Sequence, residues 1–149
     1  MAFTLNYDNM LFLDAEDLAE AGIKKAYDSL ACDLGRYISP PAEVREVVDS
    51  DAPSYVVRCG DHEYLIYSPE VPNDEGQSWG RAAYAFFKIV NDQLTKSEYR
   101  LYAINGGNDL GGMILTQSEC ETTRRSLPGK RDWPYLPTLE HPWYGQYHD

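Results

Sequence analysis

Ser54-Tyr55-Val56-Val57-Arg58-Cys59-Gly60-Asp61-His62-Glu63-Tyr64-Leu65-Ile66-Tyr67-Ser68 decides the fold. Ser54 to Cys59 and His62 to Ser68 are rich in Val, Ile and Tyr, which fit a pleated surface. Gly60-Asp61 between them suits a type II′ turn, whose first position takes positive φ. A turn of that length fixes the register. Arg58 is expected opposite Glu63, Val57 opposite Tyr64, Val56 opposite Leu65 and Tyr55 opposite Ile66. The opposite charges of Arg58 and Glu63 support that register. A slip of a single residue would turn every side chain to the other face.

Upstream, Val44 to Val48 alternates apolar positions and predicts a short strand. A long helix is expected from Ala15 to about Tyr37. Asp14 is its candidate N-cap, with Asp17 three residues later as a weak capping box. Leu13 and Leu18 have the spacing of a hydrophobic staple. Ile23, Ala26, Tyr27, Leu30, Leu34 and Ile38 recur at helical spacing. Ser39-Pro40-Pro41 ends the pattern, because proline removes a donor and clashes with the preceding turn.

Downstream, Pro69 to Gln77 reads as a loop. Ser78 is the expected cap of a second helix running to about Lys96. Trp79, Ala82, Ala83, Phe86, Val90 and Leu94 share one side of it, and Phe87 and Ile89 widen that face. Tyr99 to Ile104 and Leu110 to Leu115 read as two more strands. Thr116 with Glu119 forms a capping box that opens a third helix to about Ser126. The order α-β-β-β-α-β-β-α predicts an α+β fold in a single domain, with a mainly antiparallel sheet of about five strands. Residues 1–127 form the expected domain. Residues 128–149 form an irregular tail with Pro128, Pro134, Pro137 and Pro142 among Trp133, Tyr135, Trp143, Tyr144 and Tyr147. So many aromatics predict a tail packed on the same domain, with Trp133 and Tyr135 buried.

The composition agrees with that size. The chain has 149 residues, 43% hydrophobic and 25% charged, enough for one core without staples. Disorder, a collagen-like fibre and a membrane span are excluded, for there is no biased composition and no long apolar run. The net charge is −11, and all of it falls in residues 1–75. Residues 76–149 hold equal numbers of acidic and basic side chains. A field of that sign repels phosphate backbones, so a nucleic acid is not an expected partner. Cys32, Cys59 and Cys120 are odd in number and widely spaced, which argues against both a disulfide framework and a zinc site. Cys32, within the helical pattern, is expected to be buried. The first basic residue is Lys24, so no secretory or transit segment is expected and the natural address is the reducing cytoplasm.

Few residues point to chemistry. Asn105-Gly106-Gly107-Asn108-Asp109-Leu110-Gly111-Gly112 lets the backbone approach a neighbour closely and supplies Asn105, Asn108 and Asp109 as candidate ligand-binding groups. Gly106 and Gly111 have the spacing of a phosphate loop. Gly112 stands where Lys is needed and Met113 where Ser or Thr is needed, so nucleotide binding is not expected. Cys59 and His62 would face each other across the hairpin turn, the spacing of a thiolate–imidazole pair, but no orienting acid or oxyanion donor can be placed beside them. Glu16/Glu20 and Asp49/Asp51 lack the D-x-D-x-D-G pattern of a calcium loop. His62, His141 and His148 have no metal-ligand spacing, and no G-x-S-x-G is present. No catalytic residue, metal or cofactor is assigned.

Three functions compete. The first is a non-catalytic acidic protein-binding module, an inhibitor of the immunity or antitoxin type that neutralises a basic partner protein. Its partner-binding face would comprise Glu16, Asp17, Glu20, Asp28 and Asp33, extended by Glu43, Glu46, Asp49 and Asp51. Tyr27, Tyr37 or Tyr55 would supply the desolvated anchors. The second is a small-molecule binder or small enzyme using Asn105, Asn108 and Asp109. The third is a subunit of a homo-oligomer held by exposed aromatics.

Overall fold

The computed structural model describes residues 6–51, 53–70, 75–140 and 143–147, residues 75 and 76 by their backbone alone. The chain runs β1 (Leu11–Phe12), α1 (Ala15–Glu20), α2 (Ile23–Leu34), β2 (Val44–Asp49), β3 (Ser54–Cys59), β4 (His62–Tyr67), α3 (Glu75–Gln93), β5 (Tyr99–Ile104), β6 (Gly111–Thr116) and α4 (Gln117–Ser126). The fold is α+β, and the strands form two antiparallel sheets of three, β1-β6-β5 and β2-β3-β4. This corrects the single sheet of five. The β2-β3-β4 sheet pairs only sequence neighbours, whereas β6 takes the distant β1 as its second partner, a strand too short to show any alternation.

The hairpin has the expected turn. Gly60 lies at φ +60°, and Asp61 is not among the residues of positive φ, as a type II′ turn requires. Arg58 faces Glu63, Val57 faces Tyr64 and Val56 faces Leu65. Tyr55, however, faces Tyr67 rather than Ile66. A bulge places Ile66 out of the ladder and fully in the core. The carbonyl of Ile66 accepts from the guanidinium of Arg81 on α3, so the bulge ties β4 to that helix.

The expected long helix is two helices. Gly22 adopts φ +110°, which an L side chain rarely tolerates, and the amides of Ala21 and Gly22 both close on the carbonyl of Asp17. Asp14 caps α1 as expected, accepting from the amides of Glu16 and Asp17. The second helix stops at Leu34, before the prolines. Cys32 lies on its exposed side, off the stripe of Ile23, Tyr27, Leu30 and Leu34, and is not buried. Helix α3 begins a turn ahead of Ser78, which is buried within it rather than capping it. Thr116 and Glu119 form both halves of the capping box of α4. Of the expected loop 69–77, residues 71–74 lie outside the described residues.

The main core joins Leu18, Ile23, Tyr27, Val57, Ile66, Phe86, Phe87 and Leu101, drawn from α1, α2, α3 and both sheets. Tyr102, Ile104, Met113 and Leu115 turn the other way and meet Cys120 of α4 in a second cluster. The outer edge of β5 is closed without another strand. The Asn91 side chain bonds both the amide and the carbonyl of Leu101, at 2.7 and 3.0 Å. Tyr135 does the same for Ala103 through its own backbone. Such pairing hides an edge that would otherwise recruit a foreign strand. Tyr135 is buried, whereas Trp133 is half-buried and Trp143 and Tyr147 are exposed.

Helix α3 also carries an ionic clamp. Asp92 accepts from Tyr64 Oη and Lys88 Nζ, both at 2.8 Å. Burial works against its charge, yet the two donors hold its carboxyl below the ordinary value. A depressed folded value contributes stability that is fully present above about pH 4 and fades as pH falls through it. Urea denaturation of Asp92→Asn across a pH series should therefore give a deficit against the parent that shrinks on acidification. A deficit independent of pH would remove the ionised form from the clamp.

Candidate functional site

The acidic residues gather in part. Asp14, Glu16 and Asn108 form one hydrogen-bonded group, with Asn108 Nδ2 donating to Asp14 Oδ1 at 3.1 Å and Glu16 Oε1 at 3.2 Å. The glycine-rich connection therefore docks on the N-terminus of α1, and the two rival candidate sites are neighbours. Asp17 and Glu20 on α1 and Asp109 on the connection are exposed around that group.

Glu46 comes close from another element. It accepts from Tyr55 Oη and lies against Gly22, where an added Cβ would stand 2.8 Å from its carboxylate. Tyr55 Oη in turn accepts the amide of Ile23, so β2, β3 and the start of α2 are tied together. Burial first, then the Glu46 bond, pushes the Tyr55 phenol far up, and it stays a donor.

The remaining acids sit elsewhere. Asp28 is paired with Lys24 at 3.0 Å. Asp33 stands at the end of α2, facing Arg36 at 3.8 Å. Asp49 and Asp51 shape the β2–β3 turn, where Asp49 Oδ1 accepts the amide of Asp51. Of the three tyrosines expected as anchors, Tyr27 and Tyr55 are buried and Tyr37 is half-buried. Tyr27 lies on the apolar stripe of α2 and Tyr55 on the inner sheet face, so both are committed to the interior, whereas Tyr37 lies beyond the end of α2 and packs against Tyr99.

The exposed aromatic beside α1 is Phe12, at 78% exposure. It shares a shallow cleft of about 200 Å³ with Leu11, Asp17, Leu18, Ala21 and Lys25. The sequence offered one signal for it, an apolar pair just ahead of a helix cap.

In the glycine-rich connection, Asn105 and Gly107 take positive φ and Gly107–Asp109 form a 3-10 turn. The carbonyl of Asn105 is held by Tyr135 Oη at 2.6 Å. Gly111 is packed so closely that an added Cβ would stand 2.7 Å from Met10 Sδ. The glycines thus admit β1 and the tail.

Cys59 and His62 do face each other. The Cys59 thiol is buried, and burial followed by the nearby Asp92 pushes it up, while His62 is exposed. That environment disfavours the thiolate a nucleophile needs. Among the described residues no three His, Cys, Asp or Glu side chains are grouped as a metal requires. His141 and His148 lie outside the described residues.

A larger cleft, of about 610 Å³, lies between the segment Asn6 to Leu11, the end of α2 and β6. Asp33 and Tyr37 line it, together with Asp8, Tyr99 and Glu119, none of which the sequence marked as a site residue in this place. No family model, curated protein or solved structure matches this chain. Function therefore rests on the geometry and charge alone.

Proposed function

We propose that the protein works by stoichiometric binding, as an acidic module that occupies a basic partner protein in the manner of an immunity or antitoxin inhibitor. The observation that carries this reading is the division of charge. The whole net −11 belongs to residues 1–75, and Asp17 and Glu20 are exposed on a single short helix. Asp109 and the carboxylates around Asn108 adjoin them. Phe12 is the apolar anchor of this face, in place of the buried tyrosines. Charge steers the encounter, and a desolvated aromatic supplies affinity that charge alone lacks.

A reducing cytoplasm suits the three free thiols. Among the described residues no helix is long and apolar enough to cross a membrane. The same negative field makes phosphate backbones poor partners.

The test is a pull-down from the native source, then association kinetics at two salt concentrations. With a Debye length of ~8 Å near physiological ionic strength, added salt should slow association. Asp17→Lys with Glu20→Lys should slow it by about tenfold at low salt. A partner whose association rate is indifferent to both changes removes this face from the mechanism. Turnover of a small substrate, lost in Asn108→Ala or Asp109→Ala, would select an enzyme built on the glycine-rich connection instead.

A further inference from the structure

We propose that the cleft beside β6 is a binding site for a small organic cation with an apolar body, of the arylalkylamine class. The cleft exists because β1 is only two residues long. It pairs with Gly111 and Gly112 alone, so among the described residues no strand lies beside that edge of β6 from Met113 onward. Helix α2 and the segment before β1 stand off from this edge and form the walls. The half-open space, about 610 Å³, lies within the usual range of ligand sites, roughly 300–1,000 Å³.

Its lining is divided by chemistry. Leu30 and Leu101, both buried, and the half-buried Ile114 give an apolar floor. Tyr37 and Tyr99 pack at a tilt of 57°, with ring centroids 4.7 Å apart, and both line the cleft as its aromatic wall. Asp8, Asp33 and Glu119 stand around these surfaces, against the single guanidinium of Arg36. Asp8 enters none of the ion pairs among the described residues, the Arg36–Asp33 contact is long and exposed, and Glu119 adds its charge from the rim while one of its oxygens accepts the Thr116 amide at 2.9 Å. An exposed pair at that distance holds little energy and yields to a competitor.

The net field in the cleft is negative and the aromatic faces favour a cation, while the floor requires an apolar body. Volume separates a whole ligand from a side chain. One lysine or arginine of a protein partner would leave most of the space empty, against the close packing of a specific contact. This site meets the Phe12 and Asp17 face only at Leu11, and its test does not involve a protein partner.

The probe is tryptamine, titrated calorimetrically and followed by amide chemical shifts. Indole-3-acetate carries the same ring with the opposite charge, and 3-methylindole carries none. Saturable binding of tryptamine is expected, with shifts confined to Met113–Leu115, the end of α2 and Tyr99. Asp8→Asn with Asp33→Asn should weaken tryptamine by about tenfold and leave 3-methylindole unchanged, since both side chains are exposed and the fold does not depend on them. Thermal midpoints of the parent and the double variant confirm equal folding. No saturation by about 5 mM, equal affinity for indole-3-acetate, or shifts clustered elsewhere would each overturn the assignment.

Discussion

Tyr135→Ala should lower the free energy of unfolding by about 3–5 kcal/mol, the usual cost of emptying a large aromatic site. The phenol is 5% exposed and belongs to the main core, although it comes from the tail. Its backbone closes the edge of β5 at Ala103 through bonds of 2.7 and 3.0 Å. Its hydroxyl donates to the carbonyl of Asn105 at 2.6 Å. Burial pushes that phenol far above its ordinary value, so it remains a donor throughout the stable pH range.

Two variants divide the effect. Tyr135→Phe keeps the ring and the bridge and loses one bond, for a cost of about 1–2 kcal/mol. Truncation after Gly129 removes the ring, the bridge and the contact of Arg124 with the Pro134 carbonyl, and should exceed the alanine variant. Urea denaturation of the three gives the order. An unchanged midpoint in the truncated protein would make the tail an appendage.

What was legible in the sequence was local. The β3–β4 turn, most of its register and the capping box of α4 follow from neighbouring residues, and each is found as expected. The break at Gly22 was present as Ala21-Gly22 but was overridden by the apolar stripe on either side of it. That stripe persists because both helices bury the same core.

The bulge at Ile66 was illegible, because the partner of the Ile66 carbonyl, Arg81, approaches from α3. The separation into two sheets depends likewise on what α3 packs between them. Surface acids could be counted but not placed. Glu46 reaches Gly22, while Asp33 lies in the cleft with Asp8 and Glu119. Buried tyrosines resembled exposed ones, since Tyr27 and Tyr55 bury a ring whose hydroxyl still finds partners. Aromatic content alone does not separate a core residue from an interface anchor.

Gln93→Leu tests a part-buried polar junction that joins α2, α3 and the segment before β2. Gln93 Oε1 accepts the amide of Ala42 at 2.8 Å. Its Nε2 donates to Tyr27 Oη at 3.0 Å and to the Ile89 carbonyl at 3.2 Å. Tyr27 Oη donates onward to the Ala42 carbonyl at 2.6 Å. Leucine fills similar space but leaves the Ala42 amide without its acceptor, at a cost of about 1–3 kcal/mol.

Tyr27→Phe removes the other half of the junction. Because both side chains serve Ala42, the two losses should not add, and the double variant should recover part of the sum. Amide exchange at Ala42 should accelerate in Gln93→Leu beyond the change in global stability, since only that donor loses its partner. Additive losses with unaltered exchange at Ala42 would show that packing of the leucine, and not the missing acceptor, set the change. The result bears on the cleft as well. Tyr27 and Tyr37 share helix α2 and its connection to β2, so a junction that fixes Ala42 also fixes the position from which Tyr37 meets Tyr99.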